Sequence, residues 1–217
     1  MSRQQERARR TRASIVESAA IEFARRGYGA ASVNAILEHS GATKGAMYFH
    51  FDSKEELARA VLAEGLDRYR VITERWLHAP GLDPFERLHG LVGDLADALQ
   101  GDVIIRAEFK LVTEPEFDAE AKLRGSSVWG AAGRRLAVEA RDAGLVRAGV
   151  DLERFLGVLG ACLAGQRYFH DLTAEDVDVR ARFAECLDVC LEATAAPEWL
   201  ERRRGAPESP MEGEQSA

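Results

Sequence analysis

Apolar residues in this 217-residue chain return at helical spacing almost from end to end, and no segment sustains the two-residue alternation of a half-buried strand. That pattern predicts an all-α fold. Ile15, Val16, Ala19, Ala20, Phe23 and Ala24 form the first stripe, with Gly27 as its stop. Ser32 can cap a short second helix carrying Val33, Ile36 and Leu37, which ends at Ser40-Gly41. Thr43 can cap a third, ending near His50, and Ser53-Lys54-Glu55-Glu56 matches a capping box that opens a long helix toward Trp76. Asp83-Pro84-Phe85-Glu86 sets an N-cap, a first-turn proline and an acidic third residue before the stripe Phe85, Leu88, Val92, Leu95, Leu99. Further segments follow at Val103–Val112, around Val128 to Val138, from Leu152 to Phe169, and through Phe183, Leu187 and Leu191. The expected count is about nine helices, the first three short. Residues 197–217 lose the periodicity and read as a disordered tail.

Composition narrows the function. No run approaches the roughly 18 apolar residues of a membrane span, and the basic N-terminus leads into no apolar segment, so a cytoplasmic protein is expected. Cys162, Cys186 and Cys190 are odd in number and lack nearby histidines, so they read as buried small hydrophobes of a reducing compartment, with no metal. The chain has no Gly-x-Ser-x-Gly, no phosphate loop and no His-Glu-x-x-His, and helix capping explains Glu55-Glu56. Neither an enzyme nor a cofactor is expected. The net charge of −7 conceals a division: residues 1–60 hold ten Lys/Arg against seven Asp/Glu, while the remaining 157 hold nineteen against twenty-nine. A head of +3 on a body of −10 is what a nucleic-acid binder would show, although a solvated basic terminus would look similar.

The head supplies the deciding pattern. Helices at Val33–His39 and Lys44–Phe49, joined around Gly41, form a predicted helix-turn-helix. Val33, Ile36, Leu37 and Met47 can pack the pair against Phe23, which leaves Thr43, Lys44, Gly45 and Tyr48 outward. Lys44 can donate to guanine, and Gly45 allows close backbone approach to the duplex. Thr43 and Tyr48 offer hydroxyls to phosphates, Lys54 adds a cation, and the N–H groups after Ser53 favour an anion. The expected divisions are a basic arm at 1–10, a DNA-binding unit at 11–52 and a ligand-binding and dimerisation body at 53–196.

Phe23 to Gly27-Tyr28, Ser32-Val33, Ile36, Gly41 to Phe51, and Lys54-Glu55-Glu56-Leu57 together resemble the head of the TetR family. Thr43-Lys44-Gly45-Ala46-Met47-Tyr48-Phe49-His50-Phe51 is similar, within that family, to the γ-butyrolactone receptors of actinomycetes. The resemblance implies a homodimeric repressor of secondary metabolism that leaves a palindromic operator when a signalling lactone, furan or butenolide enters the body. It assigns Thr43, Lys44 and Gly45 to bases, and Tyr48, His50 and Lys54 to phosphate. It also implies a pocket tryptophan, for which Trp129 is the candidate. A repressor of the same fold answering to an antibiotic or another metabolite is the alternative.

An apolar pocket with one or two polar anchors suits such an effector. Leu88, Val92, Phe109, Val112 and Leu163 are candidate walls and Gln166 a candidate donor, though each apolar member could equally be core. Gly157, Ala161 and Gly165, with Gly160 and Ala164 beside them, form a ridge of small residues that lets another helix approach closely, across a dimer or within one subunit.

Overall fold

The computed structural model describes residues 3–173 and 178–205, with side chains described outside 121–129 and 170–173. Among the described residues ten helices follow one another: α1 (Arg3–Ala30), α2 (Val33–Ser40), α3 (Lys44–His50), α4 (Lys54–Leu77), α5 (Pro84–Gly101), α6 (Val103–Thr113), α7 (Ala119–Asp142), α8 (Leu152–Thr173), α9 (Val179–Thr194) and α10 (Pro197–Gly205). None of them is long and apolar enough to cross a membrane.

The expected boundaries of the head arise from local capping. Thr43 accepts the Ala46 N–H at 3.1 Å, and Ser53 accepts that of Glu56 at 3.1 Å. Gly41 ends α2 at φ 63°, a left-handed conformation that costs a glycine little and turns the chain into α3. Ser32 stands at the N-cap of α2, but its hydroxyl makes no cap bond. Its N–H instead donates to the buried Glu22 carboxylate at 3.4 Å. The basic arm is helical from Arg3, so the first helix begins well before the apolar stripe, and Gly27 (φ 76°) kinks that helix near its end.

Two apolar clusters make up the interior. The first joins Ile15, Ala19, Phe23, Ile36 and Met47 of the head to Leu57 and Val61 of α4 and to Ile104, Leu111 and Val112 of α6. The second joins α5, α7, α8 and α9 through residues such as Leu88, Leu136, Leu159 and Leu187. α6 belongs to both, because its Ile105 and Phe109 turn to the second cluster. It packs against α1 and α4 on one side, and against α5 and α7 on the other. A helix of 11 residues is marginal alone, so packing on both faces is what holds it.

The expected tail from residue 197 is partly structured. α10 buries Trp199 against Phe85, with ring centroids 5.1 Å apart, and the indole N–H donates to Asp83 at 2.7 Å. Asp83 also completes the capping box of α5 with Glu86, so one carboxylate serves two helices. An isolated antiparallel bridge between Val146 and Ala195, flanked by bonds from Arg147 N–H to Thr194 and from Ala196 N–H to Leu145, delivers the chain to α10. A helix of this composition lacks amphipathic spacing; Trp199, with Leu200 packed beside it, anchors it. Residues 206–217 of the expected tail lie outside the described residues.

Candidate functional site

α3 is only seven residues long and is fixed by Met47, which is fully buried beneath it among the residues of α1 and α2. That anchor turns the other side outward. Thr43, Lys44 and Gly45 are exposed at the N-terminal end, Tyr48 is exposed, and His50 is half-buried. Phe49 was not singled out from sequence and is 81% exposed, the most open large apolar side chain among the described residues. Its ring meets His50 edge-on at 5.0 Å. The available signal was its position two residues after the buried Met47, on the same side as the polar residues.

Lys54 has a different environment from the rest of the set. Its ammonium donates to the carbonyls of Tyr28 at 2.7 Å, Ala31 at 3.2 Å and Gly29 at 3.4 Å, and lies 4.5 Å from the Tyr28 ring centroid. These are carbonyls at the end of α1, where a cation meets the negative end of the helix dipole. Tyr28 in turn packs against Phe23 and, at 5.3 Å, against Phe117 in the connection between α6 and α7. The start of α4, the end of α1 and the body therefore meet around one aromatic ring.

Glu22 is a buried carboxylate on α1. Burial alone would raise its carboxyl, but hydrogen bonds from Arg25 and the Ser32 N–H, with the charges of Arg26 and Arg25, outweigh burial and hold it below its ordinary value.

The body encloses a cavity of about 330 Å³. Leu88, Val92, Phe109 and Leu163 line it, together with Ile105, Leu156 and Phe183. Val112 does not; it faces the head cluster on the other side of α6. Gln166 is absent from the lining too, and is hydrogen-bonded to Cys186. The Trp129 side chain lies outside the described residues, although its backbone belongs to α7 and the neighbouring Gly130 and Gly133 reach the cavity wall. Gly160 and Ala164, read from sequence as part of the small-residue ridge, also line it.

Sequence reasoning missed Tyr69 of α4 and Glu108 of α6, both lining the cavity and both nearly inaccessible to solvent. Glu108 was detectable. Ile104, Ile105, Glu108, Leu111 and Val112 recur at helical spacing, so a charged residue sits on the apolar stripe. Burial, and then the Glu108 charge, raise the Tyr69 phenol well above its ordinary value.

The outer sides of α8 and α9 expose Val158, Tyr168, Phe169 and Val189, each at 50% or more. Between them a Cβ added at Gly157 or Gly165 would meet nothing within 4 Å. Cys190 lies inside this pair of helices, its thiol pushed up to about 11 by burial and the adjacent thiols.

Comparison with known proteins places this geometry. The model of bacterial regulatory proteins of the tetR family matches residues 15–61. The A-factor receptor protein of Streptomyces griseus is 30% identical over 196 residues, covering 89% of this chain and 67% of that protein. The solved structure of the TetR family protein CprB from S. coelicolor A3(2) superposes with a TM-score of 0.77 at 26% identity, covering 90% of this chain and 94% of CprB. A crystal structure of a γ-butyrolactone receptor (ArpA-like protein) superposes with a TM-score of 0.66 at 27% identity, covering 86% and 98%.

Proposed function

Because the chain belongs to the TetR family of bacterial regulatory proteins, and is therefore a DNA-binding transcriptional repressor rather than an enzyme, we propose that a γ-butyrolactone or a related furan or butenolide releases it from a palindromic operator. In this reading it acts in the cytoplasm as a homodimer and controls secondary metabolism. Thr43, Lys44 and Gly45 read base edges, and Tyr48 and His50 hold phosphates. Lys54 contributes by fixing the end of α1 against the start of α4, its charge remaining near the backbone of the duplex. Leu88, Val92, Phe109, Leu163 and, from α7, Trp129 surround the effector, while Val112 and Gln166 act from outside the cavity.

One observation carries the link between ligand and DNA: α6 has one side in the head cluster and the other in the cavity. An effector that displaces Ile105 or Phe109 acts on the helix that supports α1 and α4. Two recognition helices on a two-fold axis must keep about one turn of DNA between them, so a small rotation of each head costs operator contacts. The ligand shifts this equilibrium only by its preference for the DNA-incompetent state. The exposed apolar sides of α8 and α9 supply the proposed dimer contact.

Binding of the purified protein to DNA upstream of its own gene, with scrambled DNA as competitor, tests the first half. Competitor-resistant binding to an inverted repeat is expected, and Lys44→Ala should weaken it by about 1–3 kcal/mol per half-site. Equal loss to scrambled DNA would remove the specific operator from the proposal. Acyl γ-butyrolactones and unrelated antibiotics, added to the bound complex, test the second half. Release by antibiotics alone would transfer the protein to the alternative, a repressor of efflux or pathway genes.

A further inference from the structure

We propose that Phe49 is a specificity-determining residue that reads thymine: in each half-site its ring packs against the C5-methyl group of a thymine in the major groove. This rests on the reading of α3 as the recognition helix of an operator-binding protein. The ring is 81% exposed and joins neither apolar cluster. A single exposed apolar side chain is ordinary on a protein surface. The position of this one is what distinguishes it.

Successive residues of a helix are about 100° apart, so Phe49 lies about 200° round α3 from Met47, which fastens the helix to the head. Gly45, four residues before Phe49, shares that outermost line. A Cβ added at Gly45 would meet only the Thr43 hydroxyl, at 4.0 Å, so packing within the described chain leaves the space over this line open. Thr43 and Lys44 stand exposed at the same end, and the His50 ring borders Phe49 edge-on at 5.0 Å. The side of α3 turned farthest from the head core therefore carries bare backbone in its first turn and a flat apolar ring in its second.

A phenyl ring has no hydrogen-bonding group, so it cannot share the phosphate-holding role proposed for Tyr48 and His50. Seated on the donors and acceptors of a base edge, it would strip their water and return nothing. The apolar projection that a base pair offers in the major groove is the thymine C5-methyl. Against that group, ring and methyl leave water together. Burying one such carbon is worth about fourfold in affinity, and the two half-sites of a homodimer multiply, so the operator should gain about tenfold or more from these methyls.

The test uses two duplexes of one sequence, the DNA upstream of the protein's own gene, copied by polymerase with dTTP or with dUTP. Uracil keeps every hydrogen-bonding group of thymine and lacks only the methyl. In anisotropy titrations the full-length protein should bind the uracil duplex about tenfold or more weakly than the thymine duplex. Phe49→Ala should bind the two alike, and Phe49→Leu should recover part of the difference. Equal affinity of the unmodified protein for both duplexes overturns the inference while leaving operator binding intact, as does a difference that persists in Phe49→Ala. Specific binding to neither duplex overturns the operator reading and the inference together. The first comparison needs no variant, and removing an exposed ring opens no cavity in the head.

Discussion

Lys54 follows the recognition helix in sequence, yet its ammonium is surrounded by the carbonyls of Tyr28, Gly29 and Ala31. Replacing it by methionine should lower the thermal stability of the head by about 1–2 kcal/mol, since three carbonyls lose a charged donor while the aliphatic stem remains. A chemical melt would show this, and a Lys54→Met protein of unchanged stability that binds DNA weakly would return Lys54 to a purely phosphate-binding role. Glu22 makes a prediction about pH. Its folded-state value lies below the ordinary 4.5, so its contribution is complete above about 4.5 and disappears as the pH falls through the lower folded value. Glu22→Gln should flatten that part of the stability profile in melts between about pH 6 and pH 3. An unchanged acid slope would mean that other carboxylates govern it.

At the scale of elements, α4 and α6 touch through a missing side chain. Gly65→Ala gains intrinsic helix propensity of up to about 1 kcal/mol but places a methyl 2.4 Å from the Glu108 Cβ and 3.4 Å from the Ile104 carbonyl. The helices must separate to accommodate it. Operator affinity without effector should fall by about tenfold, in the range of ordinary allosteric coupling, with circular dichroism unchanged. Undiminished operator binding would show that this crossing does not transmit. The same scale marks the limit of sequence reading. The stripe of α6 was visible, but a helix with apolar residues over much of its circumference does not declare which side meets the head, and Val112 and Phe109 divided accordingly. α10 was hidden for a different reason: its apolar hold on the body is Trp199 with the adjacent Leu200 rather than a periodic face.

For the whole molecule, Val158, Tyr168, Phe169 and Val189 present exposed apolar side chains on the last long helices. Val189→Arg should convert the protein to monomers in sedimentation, because a guanidinium buried at a self-complementary contact faces its own copy. Operator binding should then weaken by about a hundredfold or more through loss of the second half-site. A variant that still sediments as a dimer would place the contact elsewhere.

What the sequence by itself determined are the features set by neighbours along the chain: an all-helical architecture, the Thr43, Ser53 and Asp83 caps, the left-handed turn at Gly41, and a short α3 with Lys44 and Tyr48 outward over Met47. These follow from helical periodicity and from hydrogen bonds that close within four residues, so distant contacts cannot easily reassign them. Only the tertiary structure decided that Lys54 grips α1, that Val112 turns to the head, that Gly160 lines a cavity as well as a ridge, and that Tyr69 and Glu108 stand together in an apolar wall. Each of those depends on which helices lie side by side. That arrangement is set by how apolar faces from distant helices bury one another, and no local run of residues encodes it.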